Sequence, residues 1–371
     1  MSTAALTAEP VREDASLRTA YRLLWLAVTF DSLAFGVGFD LDRRWHATHP
    51  FEDFFSPPHL FIYSMHLCAT ITLAYIAFTP NLRRWFGAAF RLPPFPFPVP
   101  GPIALAGAGF VLIALAGVFD GIWHTSFGLD ETGWSFPHSM LGWGIFVAFL
   151  GNASCRIALR EWRPIGLWSA LVFGLLILES SVMRFAGPLA TNLSREVVEL
   201  IARIPVLAAE PAFQHTARIY ITADLTRHNP LFVPLIALSA GMGLGLLRAF
   251  DARTPVTIVL TALASWTSTL IPYLIPGIVL SLGRTHPETA VIRVLAAAGF
   301  ALTTAVIWQG SLVGAVVGTV LFYAGLLVAE RVWSVVARPT RSGVLAVATV
   351  FGLALPALTG VVDLALRARI P

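Results

Sequence analysis

Two short units of this chain place the same three residue types at almost the same spacing. The first is Asp42-x3-His46-x12-His59, within "LDRRWHATHPFEDFFSPPHL". The second is Asp120-x3-His124-x13-His138, within "FDGIWHTSFGLDETGWSFPHSM". Each opens near the end of an apolar run, passes a Trp-His pair, and closes on Pro-His at the head of the next apolar run. Residues four apart on a helix share a face, so each Asp and its first His can point at one place. Pro suits the first turn of a helix, which fixes where the His behind it projects. A helix end, a loop and a helix start thus offer one carboxylate and two imidazoles to a common centre. Three protein ligands leave coordination positions open, which is the catalytic rather than the closed structural pattern. Imidazole suits copper, zinc and iron, and two His with one carboxylate is also the non-haem iron(II) set. Ligand type alone does not choose among them.

One Asp-x3-His at a membrane boundary is equally the mark of a solvated residue. The recurrence, with the same Pro-His ending, is what carries the metal reading. Trp45 and Trp123 precede the first His of each set and read as packing behind the ligands or as interfacial anchors. His66 lies seven residues past His59, on nearly the same face and about 10 Å deeper. An ionisable group inside a span is expensive, which favours a functional role for it. Asp31 sits three turns before Asp42 and reads as a proton relay, or as a partner for an Arg or a backbone group. His49 reads as a solvated loop residue. Glu179 and Arg184 read as an interfacial ion pair. Asp224-x3-His228 echoes the unit without a second His, and with His215 it reads as part of a polar loop.

The elements that position these residues are membrane spans. The chain of 371 residues is 56% hydrophobic and 12% charged, against about 25% charged in a soluble domain. Apolar runs of about 20 residues, enough to cross a bilayer core, recur along its length. We read ten of them, at roughly 20–41, 58–79, 102–123, 138–158, 164–184, 230–249, 256–282, 289–308, 311–330 and 343–366. The fold class is an all-α polytopic membrane bundle with a duplicated helix-pair unit in its N-terminal half. Residues 1–18 form a polar tail, 19–160 the metal-binding part, and 161–371 a further bundle with an outer insertion at 188–228. The first apolar run is too long for a signal peptide and reads as a retained span. "RLPPFPFPVPGP" is a Pro-rich extended connector.

Every basic residue is Arg, and Arg clusters mark the cytoplasmic loops of a cell-membrane protein. Arg156, Arg160 and Arg163 form one such loop cluster. This topology puts all nine His on the outer side or in the outer half of a span. The loop with Arg331, Arg338 and Arg341 runs against it. The net charge of +4 does not point to nucleic acid. Cys68 and Cys155 read as buried small residues without a disulfide. The chain has no G-x-S-x-G, no C-x-x-C and no Gly-rich phosphate loop, so hydrolase, thiol-redox and nucleotide chemistry have no support.

"DRRWHATHPFEDFFSPPH" resembles the signature of the C subunit of the copper membrane monooxygenases, the methane and ammonia oxidisers. That signature has Asp, Trp-His, an acidic residue six after the His, and a Phe-Thr-Pro-Ser-His-like end. Glu52 and Phe55-Ser56-Pro57-Pro58-His59 stand in those places. The family's next helix pair carries Asn, His and His, where this chain has Asp120, His124 and His138. The added carboxylate is a departure that bears on metal preference. The resemblance covers about residues 20–160. It implies two neighbouring copper sites in the membrane, one on Asp42, His46 and His59 and one on Asp120, His124 and His138. It also implies dioxygen activation at reduced metal, with substrate arriving from the bilayer. The partners would be the lipid bilayer, other monooxygenase-type subunits bearing the soluble copper domain, or further copies of this chain. The rival reading is a copper or zinc binding or transfer protein without turnover.

Overall fold

The computed structural model describes residues 15–46, 49, 54–127, 135–159, 203–209, 232–250, 278–280, 289–307 and 312–367. They are mostly helical, and six helices are long and apolar enough to cross a membrane: Ala15–Asp42, Pro57–Phe78, Gly101–Trp123, Phe136–Leu159, Ala315–Ala337 and Arg341–Val361. The protein is an all-α membrane protein. Two shorter apolar helices, Ala237–Phe250 and Val291–Phe300, join them. The spans read at 164–184 and 256–282, and most of the 188–228 insertion, lie outside the described residues.

The first span is not a uniform helix. Its α-helix α1 (Ala15–Ser32) widens into a π segment (Leu33–Gly38) and resumes as α2 (Phe39–His46). The next, α3 (Pro57–Phe78), starts on two prolines behind Ser56. Pro there has no donor to lose, because the first N–H groups of a helix are unpaired in any case. The π segment packs directly on α3: a methyl placed on Gly38 would lie 2.5 Å from Ile62 Cγ1. A short helix α4 (Pro80–Arg83) and a 3-10 turn (Arg84–Phe86) follow.

The Pro-rich connector does not simply run out as an extended strand. Strands β1 (Ala89–Phe90) and β2 (Val99–Pro100) pair antiparallel, so the intervening prolines and phenylalanines form a hairpin that turns the chain back. Phe78, Phe95 and Phe97 meet edge to face or tilted, and the Arg83 guanidinium lies 4.2 Å over Phe97.

Helices α5 (Gly101–Phe127) and α6 (Phe136–Leu159) form the tightest pair of the N-terminal half. Small residues make the close approach possible. A methyl on Gly109 would lie 2.5 Å from Ala148 Cα, and one on Gly151 would lie 2.6 Å from Ala106 Cβ. A second such seam joins α7 (Phe232–Phe250) to α9 (Leu312–Ala337), where Gly241 and Gly245 face Phe322 and Ala329. Helix α8 (Thr289–Ile307) packs on α9. The described residues close with α10 (Arg341–Thr349), a second π segment (Val350–Ala354) and α11 (Leu355–Arg367).

Among the described residues α6 is the central helix, buried along nearly its whole length. It touches α1 and α5 on one side and α9 and α11 on the other. The Ser154 hydroxyl donates to the Val336 carbonyl at 2.6 Å, and the Thr359 hydroxyl donates to Ser139 Oγ at 2.7 Å. Helices from both halves therefore share one core. Arg156 corrects one sequence expectation. It is in α6 rather than in a loop, fully buried, with its guanidinium 5.4 Å over the Tyr21 ring. The cation is tolerated there because it finds an aromatic face inside the protein.

Candidate metal centres at two helix ends

Asp42 sits in the last turn and a half of the first span, and His59 in the first turn of α3. The loop between them brings Asp42 Oδ1 and His59 Nε2 to 3.2 Å. Both side chains are about one-fifth exposed, at 22% and 18%. Tyr63 lies one turn below His59, its ring 5.8 Å away, and Phe54 closes on Tyr63 at 5.0 Å. Trp45 stacks flat on His49, 3.8 Å between centroids, and the His49 amide donates to the Trp45 carbonyl. The exposed His49 ring is thus a lid on the indole rather than a purely solvated side chain.

The second unit closes in the same way. Asp120 lies in the last two turns of α5, and His138 in the first turn of α6. Asp120 Oδ1 stands 3.3 Å from His138 Nδ1, and Ser135 Oγ lies 3.3 Å from the same nitrogen. Phe119 and Phe136 meet edge to face across the two helix ends, and Trp123 is buried. Helix α11 braces this end through the Thr359–Ser139 hydrogen bond.

The structure therefore brings together Asp42 with His59 and Asp120 with His138. The side chains of His46 and His124 lie outside the described residues, as do Glu52, Asp53, Asp130, Glu179, Arg184, His215, Asp224, His228 and His286. Among the described residues no three His, Cys, Asp or Glu side chains gather into a metal-holding group. The pairs themselves fit a metal. Nitrogen and oxygen ligands each about 2.0–2.2 Å from one ion stand roughly 3 Å apart. Separations of 3.2 and 3.3 Å accommodate two ligands of one ion, and they are equally those of a long Asp–His hydrogen bond. The two pairs differ in one respect: the first presents Nε2 and the second Nδ1.

A third Asp–His pair lies inside the membrane. Asp31 on α1 is fully buried, and its Oδ1 stands 3.4 Å from Nδ1 of the buried His66 on α3. Asn152 of α6, also fully buried, donates from Nδ2 to Asp31 Oδ2 at 3.2 Å. The sequence marks Asp31 and His66 as ionisable groups within spans. Asn152 is the partner that reading leaves out, and its signal is a lone amide in the middle of an apolar run.

Scans against protein-family models, curated proteins and solved structures find no match for this chain.

Proposed function

We propose that this chain is a membrane metalloprotein that holds copper at two sites, one on Asp42, His46 and His59 and one on Asp120, His124 and His138. The observation that carries the reading is the repeated geometry. Twice, a carboxylate at one helix end and an imidazole at the next helix start meet at 3.2–3.3 Å. Chance placement of boundary residues does not require the second pair to copy the first. The duplicated helix pair, α1–α3 beside α5–α6, is then a duplicated ligand-presenting unit.

Copper bound there supplies one-electron redox chemistry toward dioxygen, the chemistry implied by the resemblance to the monooxygenase C subunit. Iron fits the same donor set, and zinc fits it for a non-redox role. The protein's own residues do the rest. Asp42 and Asp120 supply negative charge that offsets the cation. Pro57, Pro58 and Pro137 set the helix starts that aim His59 and His138. Phe54 and Tyr63 give the first site an aromatic wall. We place these sites on the outer face of the cell membrane in a ten-span chain with both tails inside, on the distribution of Arg. Partner subunits with a soluble copper domain complete the oxidase reading.

Elemental analysis of the full-length detergent-purified protein tests this. The expected result is one or two copper ions per chain, one set lost in His59→Ala and the other in His138→Ala. Full metal retention in both variants overturns the assignment. Copper bound without reductant-driven oxygen consumption, in the presence of candidate partners, makes the chain a metal transfer protein.

A further inference from the structure

The Asp31–His66–Asn152 cluster is separate from both metal centres. His66 is nine residues into α3, about 14 Å along a helix of about 33 Å, which puts it near the bilayer midplane. Its ring is held between aromatic neighbours, with Phe35 of the π segment at 5.8 Å and Phe110 of α5 at 5.0 Å. His66 Nε2 and Asn152 Oδ1 have no hydrogen-bond partner among the described residues. Three polar side chains from three helices thus meet in an apolar shell, with donor and acceptor capacity left over.

Electrostatics restricts what this cluster can hold. A lone carboxylate or a lone imidazolium in such surroundings costs several kcal/mol or more. Asp31 and His66 together with one proton are neutral overall, as aspartate with imidazolium or as aspartic acid with imidazole. Either form avoids net charge. Among the described residues α6 also carries Arg156, one turn from Asn152, with its guanidinium over Tyr21 of α1. On α5 the neighbour is Phe110, and the Asp120 carboxylate lies ten residues further along. Arg156 adds positive potential, which opposes a second proton on the pair.

We propose that Asp31 and His66 form an intramembrane proton-binding site, with Asn152 orienting the carboxylate and His66 Nε2 as the position through which the proton exchanges. The ligand is a single proton. The transfer is balanced: the N–H or O–H bond broken at the pair is re-formed on the acceptor, and no electron moves. Phe35 of the π segment lies against His66, and Asp31 and Asp42 both face α3. The next imidazole toward the outer face is His59, two turns along the same helix. This inference does not require metal at His59.

Infrared difference spectroscopy of the metal-free full-length protein in liposomes, during a pH change, tests it. The expected result is a protonated-carboxyl or imidazole band that responds to pH and shifts in D2O. The band should be lost in Asp31→Asn. Ring-labelled histidine moves the imidazole bands of all nine His, so the His66 component is the part missing from labelled His66→Gln. A pH-responsive spectrum left unchanged by both Asp31→Asn and His66→Gln overturns the proposal. Copper retained by Asp31→Asn would show that the two assignments stand or fall separately.

Discussion

The seam between α5 and α6 makes a quantitative prediction, because it can be probed by adding one methyl group. A Cβ at Gly151 would lie 2.1 Å from the Ala106 backbone nitrogen, and ordinary contact begins near 3.4 Å. The shortfall is roughly 1.3 Å against the backbone of α5, an overpacking that costs about 1–3 kcal/mol. Gly107, on the same α5, has nothing within 4 Å of its added Cβ. Both replacements gain the same intrinsic helix preference of Ala over Gly, about 1 kcal/mol. That gain cancels in the comparison. Gly151→Ala should therefore be about 1–3 kcal/mol less stable than Gly107→Ala. The assay is reversible unfolding in mixed micelles with a denaturing detergent, followed by circular dichroism. Gly109→Ala, which meets Ala148, should resemble Gly151→Ala. The two seam variants combined should cost less than their sum, since one separation of the helices relieves both clashes. Equal stability of Gly151→Ala and Gly107→Ala would refute close contact between α5 and α6.

Two further outcomes follow from local geometry. Thr340 caps α10, its Oγ1 accepting from the Gly343 amide at 3.1 Å; Thr340→Ala should destabilise by about 1 kcal/mol in the same unfolding assay. Cys155 is fully buried on α6 and Cys68 only partly on α3. A small maleimide should leave Cys155 unmodified until the protein unfolds, and rapid native labelling would contradict the central position of α6.

The sequence makes some of this structure legible and hides the rest for definite reasons. Apolar run length locates the spans because the bilayer sets one length scale for every helix. The spacing of His59 and His66 on α3, and of Asp31 and Asp42 on the first span, places two Asp–His pairs along one helix interface. Helical phase is enough to see that these residues share faces. It is not enough to see that Asp31 turns toward His66 rather than toward an Arg, because that depends on how α1, α3 and α6 pack. Arg156 is misleading for a related reason. A guanidinium at the end of an apolar run looks like a loop charge until Tyr21 is known to sit beneath it. The small-residue seams were there to be read: Gly241-x3-Gly245 and Gly325-x3-Ala329 have the spacing of close helix contacts. The π segment leaves no such mark, since Leu33–Gly38 reads as ordinary apolar helix.

The position of α6 also bears on how the chain enters the membrane during synthesis. This helix carries Asn152 and Arg156, groups that a lipid environment rejects. Their partners, Asp31 and Tyr21, belong to α1, which is made before α6. When α6 emerges from the ribosome, the residues that accommodate its polar groups are already available in the bilayer. The order of translation then matches the order of dependence: socket first, plug second. A chain lacking its first span would present α6 with an amide and a guanidinium and no site to receive them, so its failure should appear at insertion, before any question of stability arises.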